Sequence, residues 1–184
     1  MVNWVDFLMF LLMAAGISAG IHKGLMVEFL NIISLFCATF IAAHYYPQFA
    51  IYLMGVLPKS FGYFDLLGFG LLALITLLIF YFIREGWLII LKLELPEKFD
   101  RWAGGILATV KGVLIGGLVF VCLMLTGNNV IRQTAHNAIS SVIFENVTFE
   151  VYESVFSRIH KYFPKEKLNL KLRERLPYRM VEKQ

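Results

Sequence analysis

Four long apolar stretches fill most of the first 126 residues and limit what the chain can fold into. Each is close to the roughly 20 residues that a helix needs to cross the hydrocarbon core of a bilayer. Backbone amides in hydrocarbon must form hydrogen bonds within their own segment, so continuous apolar runs of this length predict transmembrane helices. The four predicted spans are residues 4–21, 25–46, 66–83 and 103–126.

Composition excludes the other broad classes of protein. Of the 184 residues, 59% are hydrophobic and 16% are charged, whereas a soluble domain is nearer about 45–50% apolar and about 25% charged. The 17 Phe residues are too many for a chain that must stay solvated. A soluble enzyme and a disordered protein are therefore both excluded. No positive charge precedes the first stretch, so we interpret it as a retained helix and not as a secretory signal peptide.

Tyr and Trp residues lie near the ends of the predicted spans. Their rings combine an apolar body with a polar group and favour the headgroup level of a bilayer, which indicates an interfacial belt. The predicted belt consists of Trp4, Tyr45, Tyr46, Tyr63, Trp87 and Trp102.

Positive residues in the loops predict the orientation of the spans. Loops richer in Lys and Arg are expected in the cytoplasm, and the connections after the first and third spans hold five such residues against two on the other side. The N-terminus and the region after the fourth span are therefore predicted to face outside, although ten Lys and Arg residues after residue 126 oppose this if the distant tail counts. The five are Lys23, Arg84, Lys92, Lys98 and Arg101, and the two are Lys59 and Arg132.

Beyond the fourth span the pattern becomes that of amphipathic helices. Apolar residues recur at steps of three and four over 130–143 and again over 151–163, where Pro164 is expected to end the second helix. These helices either lie on the membrane surface or pack on the four-helix body or a second copy. We favour packing, because the polar face of the first is not especially basic. The sequence thus predicts a transmembrane domain (1–126), an amphipathic helical region (127–163) and a flexible basic tail (164–184) that is either solvated or bound to anionic lipid headgroups.

Small residues at four-residue spacing mark one stripe on the first span and one on the fourth. Such stripes let two helix backbones approach closely, which is how helices associate in lipid. We expect the first span to meet the fourth, or one of these helices to meet its counterpart in a second copy. The stripes are Gly16, Gly20 and Gly24 on the first, and Gly104, Ala108, Gly112 and Gly116 on the fourth.

Three charges fall inside predicted spans, where each charge has a substantial cost. The spans that contain Glu28 and Lys111 start from the same side of the membrane, so these two residues are able to form an ion pair. The alternatives are that Lys111 extends to the near surface or lies at the interface, or that the pair belongs to a transport path. Asp6 lies at the opposite edge and is interpreted as a helix cap.

The sequence offers no group of residues that would perform covalent chemistry. The four His residues have no partners at metal-ligand spacing, and no nucleotide-binding or nucleophile motif is present. Cys37 and Cys122 lie inside apolar runs and are interpreted as inert thiols. We therefore expect no catalytic residue, no metal, no cofactor and no nucleic-acid partner.

Short motifs in the first 126 residues resemble the bacterial colicin V production protein family. They are an Asn-Trp-Val-Asp opening of the first span, a Gly-Ile-His-Lys-Gly turn followed by a glutamate, and Phe-Asp-Arg before a glycine and a Lys-Gly pair. Ala108 stands where this family more often has glycine. The residues that carry the resemblance are Trp4, Asp6, Gly20, Lys23, Gly24, Glu28, Asp100, Arg101, Gly104, Lys111 and Gly112.

The resemblance implies a multi-pass protein of the bacterial inner membrane that is associated with production or export of a peptide toxin. Together with the hydropathy pattern and the loop charges, this predicts an all-α integral membrane protein with four transmembrane helices, amphipathic C-terminal helices and a basic tail. Its N-terminus and C-terminal region are expected in the periplasm. Our leading hypothesis is an accessory or scaffold protein that packs with itself or with an export machine. The alternative is a small channel or transporter with a path near Glu28 and Lys111.

Overall fold

The computed structural model describes residues 3–21, 23–58, 63–90, 97–161 and 169, and every regular element within them is an α-helix. The all-α prediction is confirmed for this part of the chain. In chain order the helices are α1 (Trp4–Ile21), α2 (Leu25–Val56), α3 (Phe64–Ile90), α4 (Glu97–Leu125), α5 (Asn129–His136) and α6 (Ser141–His160).

Three of the helices contain apolar segments long enough to cross a membrane, namely Leu25–Val56, Phe64–Trp87 and Trp102–Leu125. The first helix is shorter, with an apolar part over Trp4–Gly20. At 1.5 Å per residue, 17 residues reach about 25 Å against a hydrocarbon core of about 30 Å. The predicted count of four spans therefore stays a prediction for α1.

Two helices continue beyond the ends of the predicted spans. We expected the second to end at Tyr46, but α2 continues through Pro47 to Val56. Similarly, α3 continues past Ile83 to Ile90 and includes Arg84. The α3 extension begins with Arg84 and Glu85, and charged residues at the end of an apolar run do not by themselves end the backbone hydrogen-bond ladder.

Pro47 has no N–H group, so it cannot donate the helical hydrogen bond to the carbonyl of Ala43. The structure supplies another donor, because Nδ2 of Asn169 donates to the Ala43 oxygen at 2.6 Å. The backbone N–H of Asn169 in turn donates to the Tyr152 hydroxyl at 3.1 Å. Asn169 of the predicted flexible tail is thus attached to α2 and α6, and the remainder of 164–184 lies outside the described residues.

Helix α1 lies antiparallel along α4, while α2 lies between α4 and α3, parallel to α4 and antiparallel to α3. One apolar core joins the starts of α1 and α3, the middle of α2 and the end of α4 to α6. It contains Val5, Met9, Tyr46, Phe69, Phe120, Phe144 and Tyr152. Tyr46, predicted in the interfacial belt, is instead fully buried, with its ring 6.1 Å from that of Phe69, because the prolonged α2 keeps it inside the bundle.

The C-terminal helices pack on the bundle and break at a different place from the one predicted. We expected one helix over 130–143, but α5 ends at His136 and α6 begins at Ser141. The turn is held by Asp6, whose Oδ1 accepts a hydrogen bond from the backbone N–H of Ser140 at 2.8 Å. A second helix over 151–163 is not separate, since α6 runs unbroken to His160, and Phe163 and Pro164 lie outside the described residues.

Candidate functional site

The tight turn between α1 and α2 is fixed by residues of the family-like motif. Gly24 has a φ of 78°, a conformation that L side chains rarely adopt. Asp100 at the start of α4 accepts a hydrogen bond from the backbone N–H of Leu25 at 2.7 Å, so it caps α2 from another helix. A Cβ atom on Gly24 would collide with the Asp100 carboxylate. The turn therefore needs both Gly24 and Asp100. Arg101, the next residue of the motif, has a side chain that lies outside the described part of the structure.

The small-residue stripes of α1 and α4 face each other. A Cβ atom on Gly16 would lie 3.3 Å from the Gly112 Cα, and one on Gly104 would lie 3.2 Å from the Gly24 carbonyl carbon. Gly20 faces the methyl group of Ala108, and the space between them cannot hold a second methyl group. We call this α1–α4 contact the glycine seam. Gly116 belongs to a different contact, because its neighbour is the ring of Phe144 on α6.

Glu28 and Lys111 form a buried ion pair beside the glycine seam. Lys111 Nζ lies 2.6 Å from Glu28 Oε2, and the side chains are 8% and 0% exposed, respectively. A Cβ atom on Gly20 would come within 3.3 Å of the Glu28 carboxylate carbon, so the seam covers the pair from the α1 side. The other oxygen, Oε1, has no hydrogen-bond partner among the described residues. The structure shows the ion pair, and the Lys111 side chain does not extend to the surface.

Asp6 lies at the opposite end of the bundle from this pair. Its Oδ2 accepts from the backbone N–H of Asn3 at 3.1 Å, while Asn3 Oδ1 accepts from Val5 N at 2.8 Å, which is a reciprocal cap of α1. Asn3 Nδ2 also donates to the carbonyl of Thr134 at 2.9 Å. Together with the Ser140 contact, these bonds attach the start of α1 to α5 and to the α5–α6 turn. The sequence indicated the cap but not these distant contacts.

Sequence reasoning missed Arg84, which it assigned to a loop. The guanidinium of Arg84 donates from Nη1 to Asn31 Oδ1 at 2.8 Å and pairs through Nη2 with Glu85 at 2.7 Å. It also lies over the ring of Tyr81, with Cζ 4.8 Å from the ring centroid. A cavity of about 280 Å³ is lined by Lys23, Arg84 and Lys111 together with side chains of α2, α3 and α4. Trp4 is half exposed and takes no part in this region.

Within the described residues, no group of three or more His, Cys, Asp and Glu side chains is close enough to hold a metal ion. His44 is buried, and its Nδ1 lies 3.0 Å from the Tyr152 hydroxyl. The polar side chains described above therefore contact one another in pairs, and most of these pairs connect two helices. The chemistry available at the ion pair is electrostatic.

A family model described as colicin V production protein matches residues 5–148. The match includes the glycine seam, the ion pair and Asp6, and it ends at residue 148, within the first half of α6. Comparison with curated proteins and with solved structures found no similar protein.

The contact between Gly20 and Ala108 predicts compensating substitutions. Gly20→Ala should lower the free energy of unfolding by about 1–3 kcal/mol, because two methyl groups would occupy one site. Ala108→Gly should restore most of that loss when both changes are combined, as measured by thermal unfolding in detergent. The control is Gly86→Ala, at a helical position with no atom near the new methyl group, which should be neutral or slightly stabilising. Additive losses in the double variant would contradict this contact.

The ion pair predicts a second non-additive result. Glu28→Met or Lys111→Met alone should cost about 3–5 kcal/mol of unfolding free energy, because each leaves one charge buried without its partner. The double variant should be close to the wild type, since it replaces the pair with apolar groups of similar volume. Glu153→Met removes an exposed carboxylate of α6 and should change stability by less than about 0.5 kcal/mol. Equal losses in the singles and in Glu153→Met would show that the pair is not buried.

Proposed function

This chain belongs to the colicin V production protein family, and we propose that it is an accessory or scaffold protein of the bacterial inner membrane. In this role it is required for production or export of a colicin V-type toxin and acts through helix packing. It performs no covalent chemistry of its own. The observation that carries the proposal is the family match over residues 5–148, together with three helices suited to a membrane.

The geometry supports a scaffold in a specific way. The small residues of α1 and α4 are used within the chain, and Glu28 is closed off by Lys111 and Gly20. These features give a close-packed seam in which the buried Glu28 carboxylate is paired with Lys111. Contacts with a second copy or with an export machine would therefore use the outward surfaces of the helices and not the glycine stripes.

A channel or transporter is the second candidate, and one observation favours it. Lys111 lines the cavity of about 280 Å³ while also contacting Glu28, so an open space reaches a buried charge pair. A conduction path there would require the charges themselves. A scaffold requires only that the helices stay packed.

The double variant Glu28→Met/Lys111→Met separates these two functions. We expect loss of this protein to lower the active toxin in the medium of a colicin V-producing strain, and the double variant to restore it to near the wild-type level. A conduction path predicts the reverse, namely a stable double variant that fails to restore export and that loses ion flux in reconstituted vesicles. Gly86→Ala serves as a complementation control. An unchanged toxin level in the strain lacking the protein would reject the family role for this chain.

We also propose that the N-terminus and the α5–α6 region face the periplasm. The hydrogen bonds from Asn3 to Thr134 and from Ser140 to Asp6 support a common side for both, and the loop charges suggest which side it is. Alkaline phosphatase, which is active only outside the cytoplasm, should be active when fused after Lys161 and inactive when fused within the α3–α4 connection. The opposite pattern would reverse the orientation.

A further inference from the structure

The cavity near Arg84 is lined by positive charge without a matching number of carboxylates. Lys23 at the α1–α2 turn, Arg84 of α3 and Lys111 of α4 line its wall. Lys111 pairs with Glu28 and Arg84 pairs with Glu85, and none of the described residues that line the cavity is itself a carboxylate. Nε of Arg84 is buried and has no hydrogen-bond acceptor among the described residues. An anionic ligand would supply that acceptor and would be attracted by the cations of the cavity wall.

An apolar groove adjoins this cavity along the contact between α2 and α3. Its space is about 340 Å³, and its wall is almost entirely hydrocarbon and aromatic. Ser34 and Arg84 line both the groove and the cavity, so the two spaces meet at these residues. The other residues that line the groove include Phe29, Ile33, Phe80, Ile83 and Trp87.

The position along the bundle suits a lipid headgroup. Trp87 and Trp102 are both more than half exposed near the same end of the bundle as Lys23, and Trp favours the headgroup level. Arg84 lies three residues from Trp87 along α3, about 4.5 Å towards the membrane centre. A phosphate group at that depth would lie just inside the interface, and an acyl chain would continue into hydrocarbon.

We propose that this site binds an anionic glycerophospholipid. Its phosphate lies in the cavity between Lys23, Arg84 and Lys111, and one acyl chain lies in the groove beside Trp87. Arg84 is the residue that recognises the phosphate, because its guanidinium is positioned by Asn31 and Tyr81 and still has a free N–H. The lipid would fill the space between α2, α3 and α4 next to the ion pair.

Trp87 provides a direct measurement, because it is one of only three Trp residues in the chain. Replacing Trp4 and Trp102 with Phe leaves Trp87 as the reporter in otherwise intact protein. This protein is reconstituted in phosphatidylcholine vesicles with increasing fractions of phosphatidylglycerol brominated in its acyl chains, or of phosphatidylcholine brominated in the same way. Brominated phosphatidylglycerol should quench Trp87 at a several-fold lower mole fraction than brominated phosphatidylcholine.

Substitutions then locate the effect. Lys23→Gln and Arg84→Gln should each raise the phosphatidylglycerol fraction needed for half quenching by about fivefold, while quenching by phosphatidylcholine stays the same. Arg158→Gln removes a guanidinium from the exposed surface of α6 and should change neither value. Circular dichroism checks folding, and the exposed Lys23 keeps the test valid if Arg84→Gln fails to fold.

Three outcomes would overturn the proposal. Equal quenching by the two lipids would show that the groove does not select an anionic lipid. Selectivity that survives in both Lys23→Gln and Arg84→Gln would place the recognition elsewhere, for example on the basic tail. Abolition of the selectivity by millimolar inorganic phosphate would assign the cavity to a free anion, whereas insensitivity to phosphate supports the lipid.

Discussion

The close approach of the α1 and α4 backbones is the contact on which the rest of the structure depends. Lipid gives two apolar helices no hydrophobic reason to associate, so van der Waals packing between backbones must hold them together. Gly16, Gly20 and Gly112 remove the side chains that would keep the backbones apart. The antiparallel contact that results sets the turn at Gly24 opposite Asp100, and it places the start of α1 next to α5.

The Glu28–Lys111 pair follows from this approach. Two charges at this depth are tolerated when they neutralise each other and are protected from rearrangement. The seam provides that protection, since Gly20 lies directly against the Glu28 carboxylate. The pair therefore fixes the register of α2 against α4, while the glycines fix α1 against α4. Three helices are positioned by one small region, which is also where most of the family-like residues lie.

The sequence was most informative where a property depends on one segment alone. The hydropathy of each apolar run predicted its helix, and the cost of a charge in lipid singled out Glu28 and Lys111 before any contact was known. Contacts between distant segments were beyond reach. Nothing local indicates that Asn169 replaces the donor lost at Pro47, 126 residues from its acceptor Ala43. Arg84 was equally hidden, because a positive residue at the end of an apolar run is usual in a loop, and only the fold brings Asn31 to it.

The seam also explains why a cavity exists on the other side of α4. Gly104, Ala108 and Gly112 of α4 form one stripe, and that stripe is used against α1 and the turn that follows it. Lys111 and Ile115 lie on an adjacent stripe with full side chains, so α3 cannot approach α4 as α1 does. The space between them is lined by Lys23, Arg84 and Lys111, and the buried Nε of Arg84 has no acceptor among the described residues. Tight packing on one surface of α4 thus leaves an opening lined by cations on the next, where a lipid phosphate would meet the free N–H of Arg84.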